Sequence, residues 1–172
     1  MEKFNFKEVD SDLKWDNFVD KSPQGTLFCS SLYLVSIPSN CRRYFIYLGP
    51  HEIKAALVFF ESDNGKNIVF DDLVVYSGIM FSDNRSQKKA SLHAERLKIT
   101  KFIIEKLATK YVDIELGLSP NFLDMRPFKW HIDNQSSSKN LSSISTAEAY
   151  KILNLDMSQK ISKEDVNKAY IK

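Results

Sequence analysis

One stretch of this chain, from residue 112 to residue 130, reads Val112-Asp113-Ile114-Glu115-Leu116-Gly117-Leu118-Ser119-Pro120-Asn121-Phe122-Leu123-Asp124-Met125-Arg126-Pro127-Phe128-Lys129-Trp130. Its first seven residues alternate apolar side chains with Asp, Glu and Gly, the period-two pattern of a strand with one buried face. Pro120 has no N–H to donate and is expected to end that strand. A short helical turn and an aromatic cluster at Phe128 and Trp130 are predicted to follow. A buried strand that opens into a loop rich in Asp, Arg and Trp is a common way to build a site.

The rest of the chain predicts alternating strands and helices. Apolar periodicity indicates strands at 4–9, 44–48, 53–61, 68–70 and 73–81, and helices at 12–19, about 30–37 and 84–111. The long third helix runs directly into the strand at 112–118, which predicts a crossover that covers a sheet. A last strand at 149–155 and a final helix that begins near Ser162 complete the order.

This order of strands and helices is typical of the acetyltransferase-type (GNAT-like) α/β fold. We therefore predict a mixed, mainly antiparallel, curved sheet flanked by helices. The chain is expected to form a single domain over residues 1–172, with a flexible polar loop at 134–146, where Ser, Asn and Gln dominate.

Composition excludes several classes of function. The 172 residues are 43% hydrophobic and 27% charged, with a formal net charge of +2, so the chain has no basic patch for nucleic acid. No run of about 18 apolar residues and no signal peptide are present, which predicts a cytoplasmic protein. Cys29 and Cys41 lack CxxC spacing, and the three His residues stand alone, so neither a disulfide nor a metal site is predicted.

Several motifs resemble a known family. The stretch from Trp15 to Phe28 resembles the opening of FemAB-like transferases, in which a Trp-x-x-Phe-Val helix leads to a Ser-Pro-x-Gly-Thr turn. Residues 73–79 (Leu-Val-Val-Tyr-Ser-Gly-Ile) and 123–130 (Leu-Asp-Met-Arg-Pro-Phe-Lys-Trp) are similar to two later landmarks of that group, and residues 149–156 to a Tyr-rich strand. The resemblance covers about residues 4–132.

The resemblance implies a lobe of a transferase. FemAB-like proteins consist of two fused acetyltransferase-like lobes and attach aminoacyl groups, from aminoacyl-tRNA, or other acyl groups to amines on cell-envelope precursors. This chain would be the first lobe, without the second lobe that holds much of the donor site. The acyl-CoA loop of the superfold, Gln/Arg-x-x-Gly-x-Gly/Ala, is replaced at 82–87 by a stretch without Gly, so no CoA site is readable.

Four residues are candidates for binding a substrate, and each has a structural alternative. Asp124 and Arg126 are suited to a polar acceptor, or they pair with each other and hold the loop. Trp130 is suited to the floor of a pocket, or it belongs to the core. Tyr76 is suited to proton donation, or it is a packed tyrosine. No catalytic residue can be assigned from the sequence.

Two functions from different classes follow. The first is an acyl- or aminoacyltransferase, or its first lobe, that modifies an amine in cell-envelope or surface-glycan synthesis. The second is a non-catalytic GNAT-like module that binds an acceptor or assembles with another chain. The expected partners are an amine-bearing small molecule or envelope precursor and, because a lone lobe leaves apolar surface uncovered, a second lobe or another copy.

Overall fold

The computed structural model describes residues 4–83 and 88–138, with residues 133–138 described by their backbone alone. The chain divides into two units, Met1–His131 and Ile132–Lys172. The last described helix begins in the first unit. The prediction of a single domain over the whole chain stays a prediction.

The first unit is built on a curled antiparallel sheet of five strands. The strands are β1 (Phe4–Glu8), β2 (Asn40–Leu48), β3 (Glu52–Glu61), β4 (Ile68–Val69) and β5 (Gly78–Phe81). Their order is β1-β2-β3-β4. The strand β5 pairs with the same edge of β3 as β4 does, but with residues 55–58 of β3, whereas β4 pairs with residues 60 and 61. The register shifts between Ile46 and Tyr47, an irregularity of the kind that bends a strand.

Helices cover both faces of this sheet because the long strand β3 is apolar on both sides. The helices are α1 (Asp12–Lys21), α2 (Ser31–Val35), α3 (Lys89–Ala108) and α4 (Arg126–Ser138). The even-numbered residues 56, 58 and 60 pack with Trp15 of α1 and Leu34 of α2. The odd-numbered residues 55, 57 and 59 pack with Ile99 and Ile103 of α3.

The predicted class, a mixed α/β fold with a curved, mainly antiparallel sheet and flanking helices, is confirmed. Most predicted elements are present with shifted ends. The predicted strand at 73–81 is shorter, since only Gly78–Phe81 pairs with β3. The predicted helix at 84–111 begins at Lys89 and ends at Ala108. Two further predictions lie outside the described residues: the strand at 149–155 and the helix from Ser162. Most of the predicted loop at 134–146 lies outside them too. Its residues up to Ser138 belong to helix α4.

The predicted strand at 112–118 is wrong as a regular strand. The segment is extended and runs parallel to β4, but it forms only one isolated bridge, between Ile114 and Ile68. The N–H of Ile68 donates to Asp113 at 2.9 Å and the N–H of Glu115 donates to Ile68 at 3.0 Å. Because β4 is only two residues long, the other backbone hydrogen bonds of the segment go to residues outside the strands. The N–H of Val112 donates to the Lys66 carbonyl at 2.9 Å, and the N–H of Ser77 donates to the Gly117 carbonyl.

The burial pattern of this segment differs accordingly from the prediction. Val112 is 78% exposed, whereas Leu116 and Leu118 pack at the margin of the α3-side core. The helical turn expected before Pro127 is also wrong. A single turn at 119–122, closed by the N–H of Phe122 on Ser119, precedes α4, which begins at Arg126. No helix in the described ranges 4–83 and 88–138 is long and apolar enough to cross a membrane.

Candidate functional site

The site is organised by the turn that follows α1. At the end of α1, the Ser22 N–H donates to the Phe18 carbonyl at 3.0 Å. The Ser22 hydroxyl accepts the N–H of Gln24 at 3.2 Å, and the Ser22 carbonyl accepts the N–H of Gly25 at 3.0 Å. Gly25 is required because a Cβ at this position would lie 1.9 Å from the carbonyl oxygen of Val19. The Ser-Pro-Gln-Gly sequence therefore folds tightly against the end of α1 and directs Gln24 inward.

Gln24 joins three separate parts of the chain. Its side chain is almost fully buried, at 2% exposure. Its Oε1 accepts the N–H of Phe81, the last residue of β5, at 3.0 Å, and its Nε2 donates to the carbonyl of Asn121 at 3.1 Å. The Asn121 side chain donates in turn to the carbonyl of Pro23 at 2.8 Å. Gln24 thus bridges the end of β5 and the turn that follows residue 118.

Beside Gln24 lies a cavity of about 40 Å³, here called the inner pocket. It is lined by the end of β5, one side of α3 and the turn at 119–122, with His93, Arg96, Thr100 and Asn121 as its main polar groups. A wider, open depression of about 430 Å³, here called the outer depression, is lined by His93, Leu123, Asp124, Met125, Arg126 and Lys129. The two adjoin, since His93, Leu123 and Asp124 line both.

Arg96 is the most unusual polar group of the inner pocket. Its guanidinium lies 5.1 Å from the centre of the Phe81 ring, and its buried Nε makes no hydrogen bond. Burial lowers the pKa of Arg96, and the nearby carboxylates of Asp83 and Glu95 oppose that shift. Because arginine stays protonated in proteins, the pocket holds a permanent cation with a free donor.

Asp124 and Arg126 form a bidentate ion pair at the start of α4. Arg126 donates from Nε to Oδ1 at 2.8 Å and from Nη2 to Oδ2 at 2.6 Å. These hydrogen bonds lower the pKa of Asp124. The Arg126 guanidinium also lies 5.8 Å from the centre of the Trp130 ring, which is 46% exposed. Three of the four predicted substrate-binding residues therefore lie together, and their pairing agrees with the structural alternative for Asp124 and Arg126.

Tyr76 lies apart from the other three candidates. Its ring makes an edge contact with Phe28 at 6.1 Å, and its carbonyl accepts from the Cys29 thiol at 3.7 Å. Both neighbours belong to the side of the sheet covered by α1 and α2. Tyr76 lines neither the inner pocket nor the outer depression.

Gln24, His93 and Arg96 were not predicted as site residues. His93 is exposed, yet it lines both cavities. A usable signal was present in α3, where His93, Arg96 and Thr100 follow each other at helical spacing and so share one face. Thr100 is 2% exposed and its hydroxyl donates to the Arg96 carbonyl at 2.8 Å. No comparable signal pointed to Gln24, whose partners lie 57 and 97 residues away.

The other buried ionisable groups are neutralised or inert. Glu61 accepts from Arg42 at 2.7 Å, from Lys110 at 2.6 Å and from the Tyr111 hydroxyl. Burial raises the pKa of the Cys29 thiol and raises that of Cys41 to about 11, so neither is an activated nucleophile. Within the described part of the chain, no group of three or more His, Cys, Asp or Glu residues could hold a metal ion.

Comparisons with known proteins identify no relative: no family model, no curated protein and no solved structure matches this chain.

Proposed function

We propose that this chain is a FemAB-like lobe of the acetyltransferase type that binds an acceptor and does not carry out acyl transfer by itself. The order of elements supports the finer assignment of the fold. Two helices follow β1, an antiparallel set of strands follows them, and α3 then crosses over to an extended segment that runs parallel to β4. This arrangement is the one expected for a GNAT-like domain.

The observation that carries the proposal is the position of Gln24. Acyl transfer requires N–H donors that are free to stabilise the developing oxyanion. At the end of β5, the backbone N–H of Phe81 is not free for this purpose, because it donates to the Oε1 of Gln24 at 3.0 Å. The Nε2 of the same side chain donates to the Asn121 carbonyl at 3.1 Å. The Phe81 N–H and the Asn121 carbonyl are therefore satisfied within the protein, so neither is offered to an acyl donor.

The residues that remain around the pocket favour binding over chemistry. The pKa values of both thiols are raised by burial, and the Glu61 carboxylate accepts from four donors of the protein itself. The cavities are lined by one carboxylate, Asp124, which Arg126 holds through both oxygens, and by the cations Arg96 and Lys129, which are suited to holding an anionic ligand. An envelope precursor that carries both an amine and phosphate or carboxylate groups would meet this requirement.

The test compares donors with acceptors on the same purified chain. Melting is followed with acetyl-CoA, CoA, an aminoacyl-tRNA analogue and a UDP-linked muropeptide, and transfer is followed with radiolabelled acetyl-CoA. A ligand at a hundred times its dissociation constant adds about 2.7 kcal/mol of stability, which is readily visible as a shift in melting. We expect the muropeptide to stabilise the chain and the donors to have no effect. Stabilisation by acetyl-CoA together with labelled product would overturn the proposal and favour an active transferase.

A further inference from the structure

We infer that the inner pocket and the outer depression together form a binding site for a small organic acid, with its carboxylate or phosphate at Arg96 and its apolar part against Leu123 and Met125. The inference deepens the proposed acceptor-binding function and rests on it for the role of the site.

The charge of the lining favours an anion. Arg96 lines the inner pocket, and Arg126 and Lys129 line the outer depression. The one carboxylate of the lining, Asp124, is bonded through both oxygens to Arg126. Arg96 and Lys129 therefore remain as cations that this carboxylate does not neutralise, and His93 adds a further donor between them.

The hydrogen-bonding capacity of Arg96 points to the same conclusion. A buried donor without an acceptor is rare in native proteins, and one on a cation especially so. The Nε of Arg96 is such a donor, because no described residue accepts from it, although Asp83 lies near enough to act on its charge. A cavity of about 40 Å³ has room for one water molecule or for one oxygen of an anionic group beside this donor.

The surroundings of the outer depression indicate the rest of the ligand. Leu123 is 81% exposed and Met125 is 44% exposed, and both line the depression. Its volume of about 430 Å³ suits an organic body far larger than a free inorganic ion. Exposed apolar side chains beside cations match a ligand that is anionic at one end and apolar at the other.

The experiment is a titration of the ¹⁵N-labelled full chain, followed by amide chemical shifts, with two probes: inorganic phosphate and hexanoate. We expect saturable chemical-shift changes in α3 near His93 and Arg96 and in residues 121–129. Hexanoate should bind more tightly than phosphate, because only hexanoate has an apolar tail. Tighter binding of phosphate would instead identify a phosphate-bearing ligand. Non-saturating shifts, or shifts spread evenly over the surface of the protein, would overturn the site.

Variants assign the effect to the named residues. Arg96→Gln should weaken the binding of hexanoate by about tenfold, the usual size for the loss of a hydrogen bond to a charged group. Lys129→Gln should weaken it less, because Lys129 lines the outer depression and attracts the carboxylate through its charge alone. Lys129 is exposed, so its variant keeps the test valid if Arg96→Gln alters folding. The matched control is Lys101→Gln, a 64%-exposed cation on α3 outside both cavities, which should bind as the unmodified chain does.

The two proposals fail in different ways. Unchanged affinity in both Arg96→Gln and Lys129→Gln would overturn the anion site. If hexanoate and phosphate do not bind but the muropeptide still stabilises the chain, the acceptor-binding lobe stands without this site. If the acids bind and labelled acetyl-CoA is also turned over, the anion site stands and the non-catalytic proposal fails.

Discussion

The side-chain oxygen of Gln24 accepts the backbone N–H of Phe81 at 3.0 Å, across 57 residues of sequence. The other end of the same amide donates to Asn121, 97 residues away. One buried side chain therefore holds the end of α1, the end of β5 and the turn before α4 in a fixed relation. The walls of the inner pocket depend on it.

Replacing Gln24 with alanine should lower the free energy of unfolding by about 2–4 kcal/mol, because it leaves the Phe81 N–H and the Asn121 carbonyl without their partner and creates a small cavity. The change is measured by urea unfolding. Asn17→Ala is the matched control, since the Asn17 amide donates to the Leu13 carbonyl on the exposed face of α1. It should cost less than about 0.5 kcal/mol. Equal effects of the two variants would contradict the role of Gln24.

Glu61 should make stability depend on pH in the acid range. Burial alone would raise its pKa, but hydrogen bonds from Lys110, Tyr111 and Arg42 outweigh burial and lower the pKa from 4.5 to about 2. Because the folded value lies below the unfolded one, the stabilisation is fully present above about pH 4.5 and is lost as the pH falls toward 2. Its size at neutral pH is on the order of 3 kcal/mol.

The variant Glu61→Gln tests this pH dependence. The stability difference between it and the unmodified chain should be constant from pH 5 to 7 and shrink below pH 4.5, as measured by urea unfolding at each pH. Glu8→Gln is the control, because Glu8 pairs with the same Arg42 at 3.5 Å but is 64% exposed. A difference that stays constant down to pH 2.5 would show that the charge of Glu61 does not contribute.

Gly117 should not tolerate a side chain, because the Phe70 ring occupies the space that a Cβ would need. A Cβ there would lie 2.4 Å from Cε2 of Phe70 and 3.0 Å from the Val75 carbonyl oxygen. Gly117→Ala is therefore expected to destabilise the protein by about 1–3 kcal/mol, the usual cost of overpacking. In a Phe70→Ala background, where the ring is gone, that cost should fall by more than half in urea unfolding. Additive effects of the two substitutions would argue against this contact.

Asp124→Asn should strengthen binding at the outer depression. The substitution removes the one carboxylate of its lining and frees Arg126, which holds both oxygens of Asp124. Phosphate should then bind about threefold more tightly or better at low salt, by simple Coulomb attraction, as measured by amide shift titration. The gain should disappear in about 1 M NaCl, where the screening length is near 3 Å. Weaker binding would mean that Asp124 itself contacts the ligand.

Local patterns were enough to predict most of the architecture. Period-two and helical spacing placed β1, α1 and α3, because each of these elements buries one face. A continuous apolar run placed β3, which is buried on both faces. The resemblance at 123–130 also directed attention to Asp124, Arg126 and Trp130, which do lie together. Tyr76 does not lie near these three residues, because it packs on the opposite side of the sheet, against Phe28.

The sequence by itself determined the class of the fold, since the alternation of apolar faces specifies which residues leave water. It did not determine whether 112–118 becomes a strand, because strand formation needs a partner, and β4 ends after two residues. Nor did it reveal the pocket, which exists only where Gln24, Phe81, Arg96 and Asn121 converge. Hydrogen bonds across 57 and 97 residues leave no trace in local spacing, so only the tertiary structure decided the site.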